Sequence, residues 1–196
     1  MSIWTSKIRA AAAAVAACLL ISACVTEGGG RSTAPPAVPG GVALAAPSGF
    51  CLVESTRQIR GEADLAAFRR CAGGTEQDAI LTVAVGGADS ARGLRFEAGE
   101  MTAFFTSDAG RRALSRSNNA RSVTVHEVRR APDATLLRVT DRAQPGGVNG
   151  WRAVTGLRDR LVTLAVRNPE DGSTLDPAEA ERLIARFLAA MKGANR

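Results

Sequence analysis

Between Ser122 and Val166 the chain carries four short runs, Ser122–Val128, Thr135–Thr140, Trp151–Thr155 and Leu161–Val166, with branched apolar residues at alternate positions. Val123 and Val125, Leu137 and Val139, and Val162, Leu164 and Val166 show the period. Successive side chains of an extended strand point to opposite faces, so a period of two turns one face of each strand to a core. Runs joined by connections as short as Gly156–Arg160 leave no room for crossover helices, so these strands pair antiparallel in a meander.

Such a sheet needs a cover, and two segments supply it. At the C-terminus Asp176 is a good N-cap, Pro177 takes the first helical position, Glu179 gives capping-box-like spacing, and Gly193 is expected just past the end. The buried stripe of this helix is Leu183, Ile184, Phe187, Leu188 and Met191. In the middle of the chain, Glu97–Ser117 carries Met101, Phe104, Phe105, Ala113 and Leu114 and reads as helix broken near Ser107–Gly110, its apolar side against the sheet. Upstream, Ala79–Val85 is a near-continuous apolar run ended by Gly86-Gly87, the pattern of a central strand covered on both faces. Val42–Ala46 and Phe50–Val53 flank Pro47-Ser48-Gly49 and read as a hairpin. Residues 55–72 stay open between a helix through Leu65, Phe68 and Cys71 and a strand at 66–71 lying beside that hairpin. The class is α+β: an antiparallel sheet against a C-terminal amphipathic helix and a middle helical segment.

The amino terminus sets the compartment. Lys7 and Arg9 precede an uninterrupted apolar run from Ala10 to Ile21, then the small residues Ser22 and Ala23, then Cys24. This is the layout of a secretory signal, too short for a membrane-spanning helix with its own flanks. Its ending, Leu20-Ile21-Ser22-Ala23-Cys24, resembles the bacterial lipobox. The resemblance implies that residues 1–23 are removed and that Cys24 becomes the acylated first residue. Acyl chains contribute about 0.8 kcal/mol per buried methylene, which anchors a protein without a spanning helix. Val25 stands where lipoproteins retained in the inner membrane often carry Asp, so the resemblance favours the periplasmic face of the outer membrane. Residues 25–41 are rich in glycine and proline, with almost no bulky apolar residue to bury, and read as a tether to a single domain over 42–196.

With Cys18 in the signal and Cys24 acylated, Cys51 and Cys71 are the only thiols left in an oxidising compartment, and a disulfide between them is expected. In element order the domain loosely resembles the PsbP-like fold, and Pro47–Cys51 with the Arg/Ala-rich composition resembles small alphaproteobacterial lipoproteins. Neither resemblance implies functional residues.

Little in the chain points to chemistry. The net charge is +6, or +4 without Lys7 and Arg9, and no basic run interleaves with aromatics, so nucleic acid is not an expected partner. His126 is the single histidine and there is no tyrosine; it falls on a strand opposite Val123 and Val125. Catalysis by His126 or by carboxylate pairs such as Glu97 with Glu100 or Glu179 with Glu181 is the minor reading. The Gly-x-Ser-x-Gly elbow and both Gly-rich nucleotide motifs are absent, and no metal or cofactor is expected.

Trp151, entered from the loop Gln144–Gly150, is a core residue or a ligand platform. Arg129, Arg130, Arg158 and Arg160 join it as candidate contacts to anionic headgroups or an envelope protein, and Arg69-Arg70 and Arg111, Arg112 and Arg116 form further clusters. The expected function is non-catalytic: a membrane-anchored lipoprotein that binds or supports another envelope component. The alternative is a small-ligand-binding domain with a pocket near Trp151.

Overall fold

The computed structural model describes residues 41–143 and 148–196. The expected signal, Cys24, the expected tether through residue 40 and Gln144–Gly147 lie outside the described residues. The strands are β1 (Phe50–Leu52), β2 (Gln58–Arg60), β3 (Ala63–Arg70), β4 (Ile80–Val85), β5 (Val123–Ala131), β6 (Ala134–Asp141), β7 (Val148–Leu157) and β8 (Arg160–Arg167), and the helices are α1 (Ala98–Thr106), α2 (Asp108–Leu114) and α3 (Pro177–Ala194). All eight strands belong to one antiparallel sheet, ordered β1-β3-β4-β8-β7-β6-β5, with β2 also pairing β3. The chain leaves β4 through α1 and α2, enters the far edge at β5, and meanders back until β8 pairs with β4.

Local chemistry accounts for the meander. Arg158 and Asp159 both lie in the left-handed region, with φ of 49° and 59°. A two-residue turn of that hand matches the right-handed twist of the strands it joins, and it sets β7 against β8 from Trp151↔Val166 to Leu157↔Arg160. The helix break falls at Ser107, whose side chain accepts from the Gly110 backbone N–H at 3.1 Å and so caps α2. Gly110 is required there, since a Cβ would sit 2.1 Å from the Phe104 carbonyl oxygen.

The two faces of the sheet are covered unequally. On one, Leu81, Val83, Val162, Leu164, Val166, Trp151 and Ala153 pack under α3, which buries all five residues of its expected stripe. On the other, Phe105 and Leu114 of the short helices cover Val123, Leu137, Val139 and Val154. That second cover stops short of β3 and β4: Ala84 is exposed and Leu65 is 42% exposed. The Ala79–Val85 run is thus an interior strand, but it is not buried on both faces as its apolar continuity suggested, because alanine and threonine fill its alternate positions without needing a cover. Phe104, expected among the packed residues of the middle segment, is 46% exposed and meets Phe105 edge-on at 5.0 Å.

Two further expectations are corrected, and one open alternative is decided. The first hairpin does not form: Phe50–Leu52 pairs with β3, while Val42 and Leu44 enter the core under α3. The backbone of this segment finds partners in side chains of α3 and its C-cap. The Ala43 N–H donates to Asn195 Oδ1 at 2.7 Å, Asn195 Nδ2 returns a bond to the Ala43 carbonyl at 2.8 Å, and the Ala45 N–H meets Met191 Sδ at 3.2 Å. Residues 63–70 take the strand alternative and bring Cys71 beside Cys51 in a disulfide with Cα atoms 5.1 Å apart. Closing that 20-residue separation stabilises the fold by about 3 kcal/mol in the chain-entropy picture. Finally, α3 continues through Gly193 and is capped at Asn195, whose side chain replaces the terminating glycine.

Candidate functional site

Where α3 begins, it stands off the sheet and leaves an open cleft of about 570 Å³. Its floor is set by strand register: Trp151 of β7 lies between Arg138 of β6 and Val166 of β8. The opposite wall is Leu175, delivered by the loop 168–176, with Pro177 and Ala180 from the start of α3. This loop is held in place at three points. The Leu175 N–H donates to Asn168 Oδ1 at 3.1 Å, the Ser173 N–H donates to Asp171 Oδ1 at 2.9 Å, and Asp176 accepts from the Ala178 and Glu179 N–H groups at 3.0 and 2.9 Å. Hydrogen bonds from the Ser173 side chain and backbone hold the exposed Asp171 carboxyl below its usual range. The polar residues of the lining are Gln77, Arg138, Arg167, Asn168, Thr174 and Asp176. The lining is half polar and half apolar, in a volume within the roughly 300–1,000 Å³ range of ligand sites.

Trp151 itself is 4% exposed and belongs to the core, so both readings of it meet here: the ring is core and its edge is the cleft floor. The Arg129 guanidinium carbon sits 4.7 Å from the ring centroid, a cation–π contact. Arg129 is also paired with Glu127 at 2.9 Å and Glu181 at 2.7 Å, so its charge is used within the fold. The other predicted contacts are not gathered at the cleft. Arg130 is exposed and lies 3.8 Å from Glu97. Arg158 occupies the β7–β8 turn at the far end of the strand that carries Trp151. Arg160 is 5% exposed and donates to the carbonyls of Glu62 and Gly86 at 2.7 and 2.9 Å, a structural tie rather than a surface contact.

His126 sits at a bulge in β5, exposed, with Nε2 2.8 Å from Thr140 Oγ1. No serine or carboxylate is hydrogen-bonded to it among the described residues, so the arrangement a hydrolase needs is not assembled around it. Of the carboxylate pairs, Glu179 bridges to Arg182 and Arg186, Glu181 to Arg129 and Glu97 to Arg130, while Glu100 is exposed on α1. Among the described residues no three His, Cys, Asp or Glu side chains converge as a metal site. No protein-family model and no curated protein sequence matches this chain.

Proposed function

We propose that this chain is a lipid-anchored protein of the bacterial cell envelope whose α+β domain, tethered through Cys24, binds a small ligand in the cleft beside Trp151. The observation that carries the binding half is the cleft itself, about 570 Å³ between Trp151 and Val166 on one side and Leu175, Pro177 and Ala180 on the other. The apolar half of the lining takes an extended apolar body, and Arg138 and Asn168 in the polar half take a polar end. The anchor half rests on the lipobox resemblance of Leu20–Cys24. Among the described residues no helix is long and apolar enough to cross a membrane.

Each half has its own test. Protein recovered from its native membrane should have the mass of residues 24–196 plus acyl chains, and Cys24→Ser should lose the acyl mass and its membrane retention. A Cys24→Ser protein that stays processed and membrane-bound removes the anchor reading. For the cleft, the Trp151 indole N–H is the reporter in a fragment screen by two-dimensional NMR. Fragments are expected to shift that signal together with Val166 and Leu175. Ala180→Phe, which places a ring in the cleft, should weaken those hits at least about tenfold, about 1.4 kcal/mol, while the fold persists. Hits that spare Trp151, or that Ala180→Phe leaves unchanged, exclude the cleft as the binding site.

A further inference from the structure

Among the described residues four large apolar side chains are exposed, and three of them gather at one end of the sheet. Ile59 and Leu65, 51% and 42% exposed, stand on opposite sides of the β2–β3 edge, where Leu65 pairs with Ala84 near the end of β4. Leu94, 45% exposed, belongs to the loop 86–97 that follows β4. This loop is fixed across the end of the sheet by hydrogen bonds to the turns on either side. The Ala88 N–H donates to Glu62 Oε2 at 2.8 Å in the β2–β3 turn, and the Ala91 N–H donates to the Asp159 carbonyl at 3.0 Å in the β7–β8 turn. Ser90 Oγ accepts from the Leu161 N–H at 2.9 Å. The loop is thus held with Leu94 in water rather than folded over it.

Arginines share this end. Arg60, Arg92, Arg95 and Arg158 are exposed there, beside the acidic Glu62, Asp89 and Asp159. Asp89 pairs with Arg92 at 2.6 Å. A rim of separate leucine and isoleucine side chains among guanidinium groups suits the boundary between headgroups and acyl chains of a bilayer. Apolar tips enter that boundary while guanidinium forks reach phosphate oxygens.

The chain enters the domain at the same end. Gly41 lies beside Arg158, a Cβ added to it falling 4.0 Å from Arg158 Cδ. Only residues 25–40 separate Gly41 from Cys24. Attaching a protein to a bilayer at one point makes every further contact with it intramolecular, and contacts near the attachment gain most. A few exposed side chains, too weak to hold a free protein to a membrane, are then enough. The Trp151 cleft lies about 23 Å from Arg158 along β7, which carries it clear of the lipid.

We propose that the end of the domain bearing Ile59, Leu65, Leu94, Arg95 and Arg158 is its membrane-contact face, seated on the phospholipid surface that holds the Cys24 acyl chains, with the cleft turned away. The assignment rests on the lipid anchor at Cys24 proposed above.

The test is paramagnetic broadening of amide signals in the acylated, isotope-labelled full chain, placed in nanodiscs of phosphatidylethanolamine and phosphatidylglycerol doped with a lipid that carries gadolinium on its headgroup. The intact mass of the same sample reports whether Cys24 is acylated. With the acyl mass present, the amides of Ile59, Leu65, Leu94 and Arg158 are expected to broaden several-fold more than those of Asn168 and Leu175 at the cleft end. In the double variant Leu94→Asp with Arg95→Glu, both at exposed positions, that difference should shrink several-fold while signals from the core keep their positions. Equal broadening at the two ends, stronger broadening at the cleft end, or a pattern that the double variant leaves unchanged overturns the assignment while the anchor stands. A sample without the acyl mass removes the anchor reading, and the contact face with it.

Discussion

Replacing Phe187 by alanine is expected to cost about 3–5 kcal/mol, a large share of the roughly 5–15 kcal/mol that separates a folded domain from its unfolded chain. The side chain is fully buried on α3 and meets Phe68 of β3 edge-on, with ring centroids 5.7 Å apart and planes at 77°. Two effects add in the substitution. The ring's transfer out of water is lost, and a cavity opens between a helix and a strand that are each fixed by other contacts, so the gap closes only in part. Loss of the edge-on aromatic pair accounts for about 0.5–1.5 kcal/mol beyond burial. Urea unfolding followed by Trp151 emission gives the measurement, with a lower midpoint and an unchanged slope. Arg186→Ala, on the exposed side of the same helix, where the arginine pairs with Glu179 at 2.7 Å, should cost less than about 1 kcal/mol. Comparable costs for the two would mean that α3 does not seat on β3 through this ring.

Phe187 also shows why so much of the architecture could be read from the chain. Its stripe repeats at helical spacing between an N-cap aspartate and a C-terminal stop, and β5 to β8 repeat at strand spacing between short turns. Both signals are local, carried by residues within a few positions of one another. What was not legible depends on distant partners. Val42–Ala46 has the apolar content of a strand, and only the position of Asn195, 152 residues away from Ala43, reveals that beyond one isolated β-bridge at Ala43 its backbone is held by a side-chain amide.

The candidate site divides in the same way. Trp151 and Arg129 stood out as one of two tryptophans, the other being Trp4, and a clustered arginine, and they do meet, but as a cation–π pair within the fold. The cleft wall at Leu175 could not be read, because loop 168–176 has no periodicity and its shape comes from Asn168 and Asp171 bonding its backbone.

Asp64→Ala is expected to cost about 3–5 kcal/mol, the range for breaking a buried ion pair from one side. The Asp64 side chain is fully buried on β3, and its Oδ2 accepts from Arg57 Nε at 3.0 Å and Nη2 at 2.9 Å. Arg57, whose side chain is 17% exposed, precedes β2, so the pair clamps that edge strand in the register Gln58↔Leu65 to Arg60↔Ala63. Removing only the carboxylate leaves a guanidinium largely out of water without the two hydrogen bonds and the charge of Asp64, and that loss dominates. Replacing both partners, Arg57→Met with Asp64→Leu, removes the charge along with its partner and should restore most of the stability, because the attraction within a buried pair roughly offsets the desolvation of its members. The consequence of the double change should appear instead in β2, whose three residues are all exposed and retain little else to hold them. Hydrogen exchange at Gln58–Arg60 is expected to accelerate in the double variant while protection in β4 and β8 stays near wild type. Equal stability losses in the single and double variants would show that Asp64 acts by packing alone, and unchanged exchange in β2 would show that the pair does not set its register.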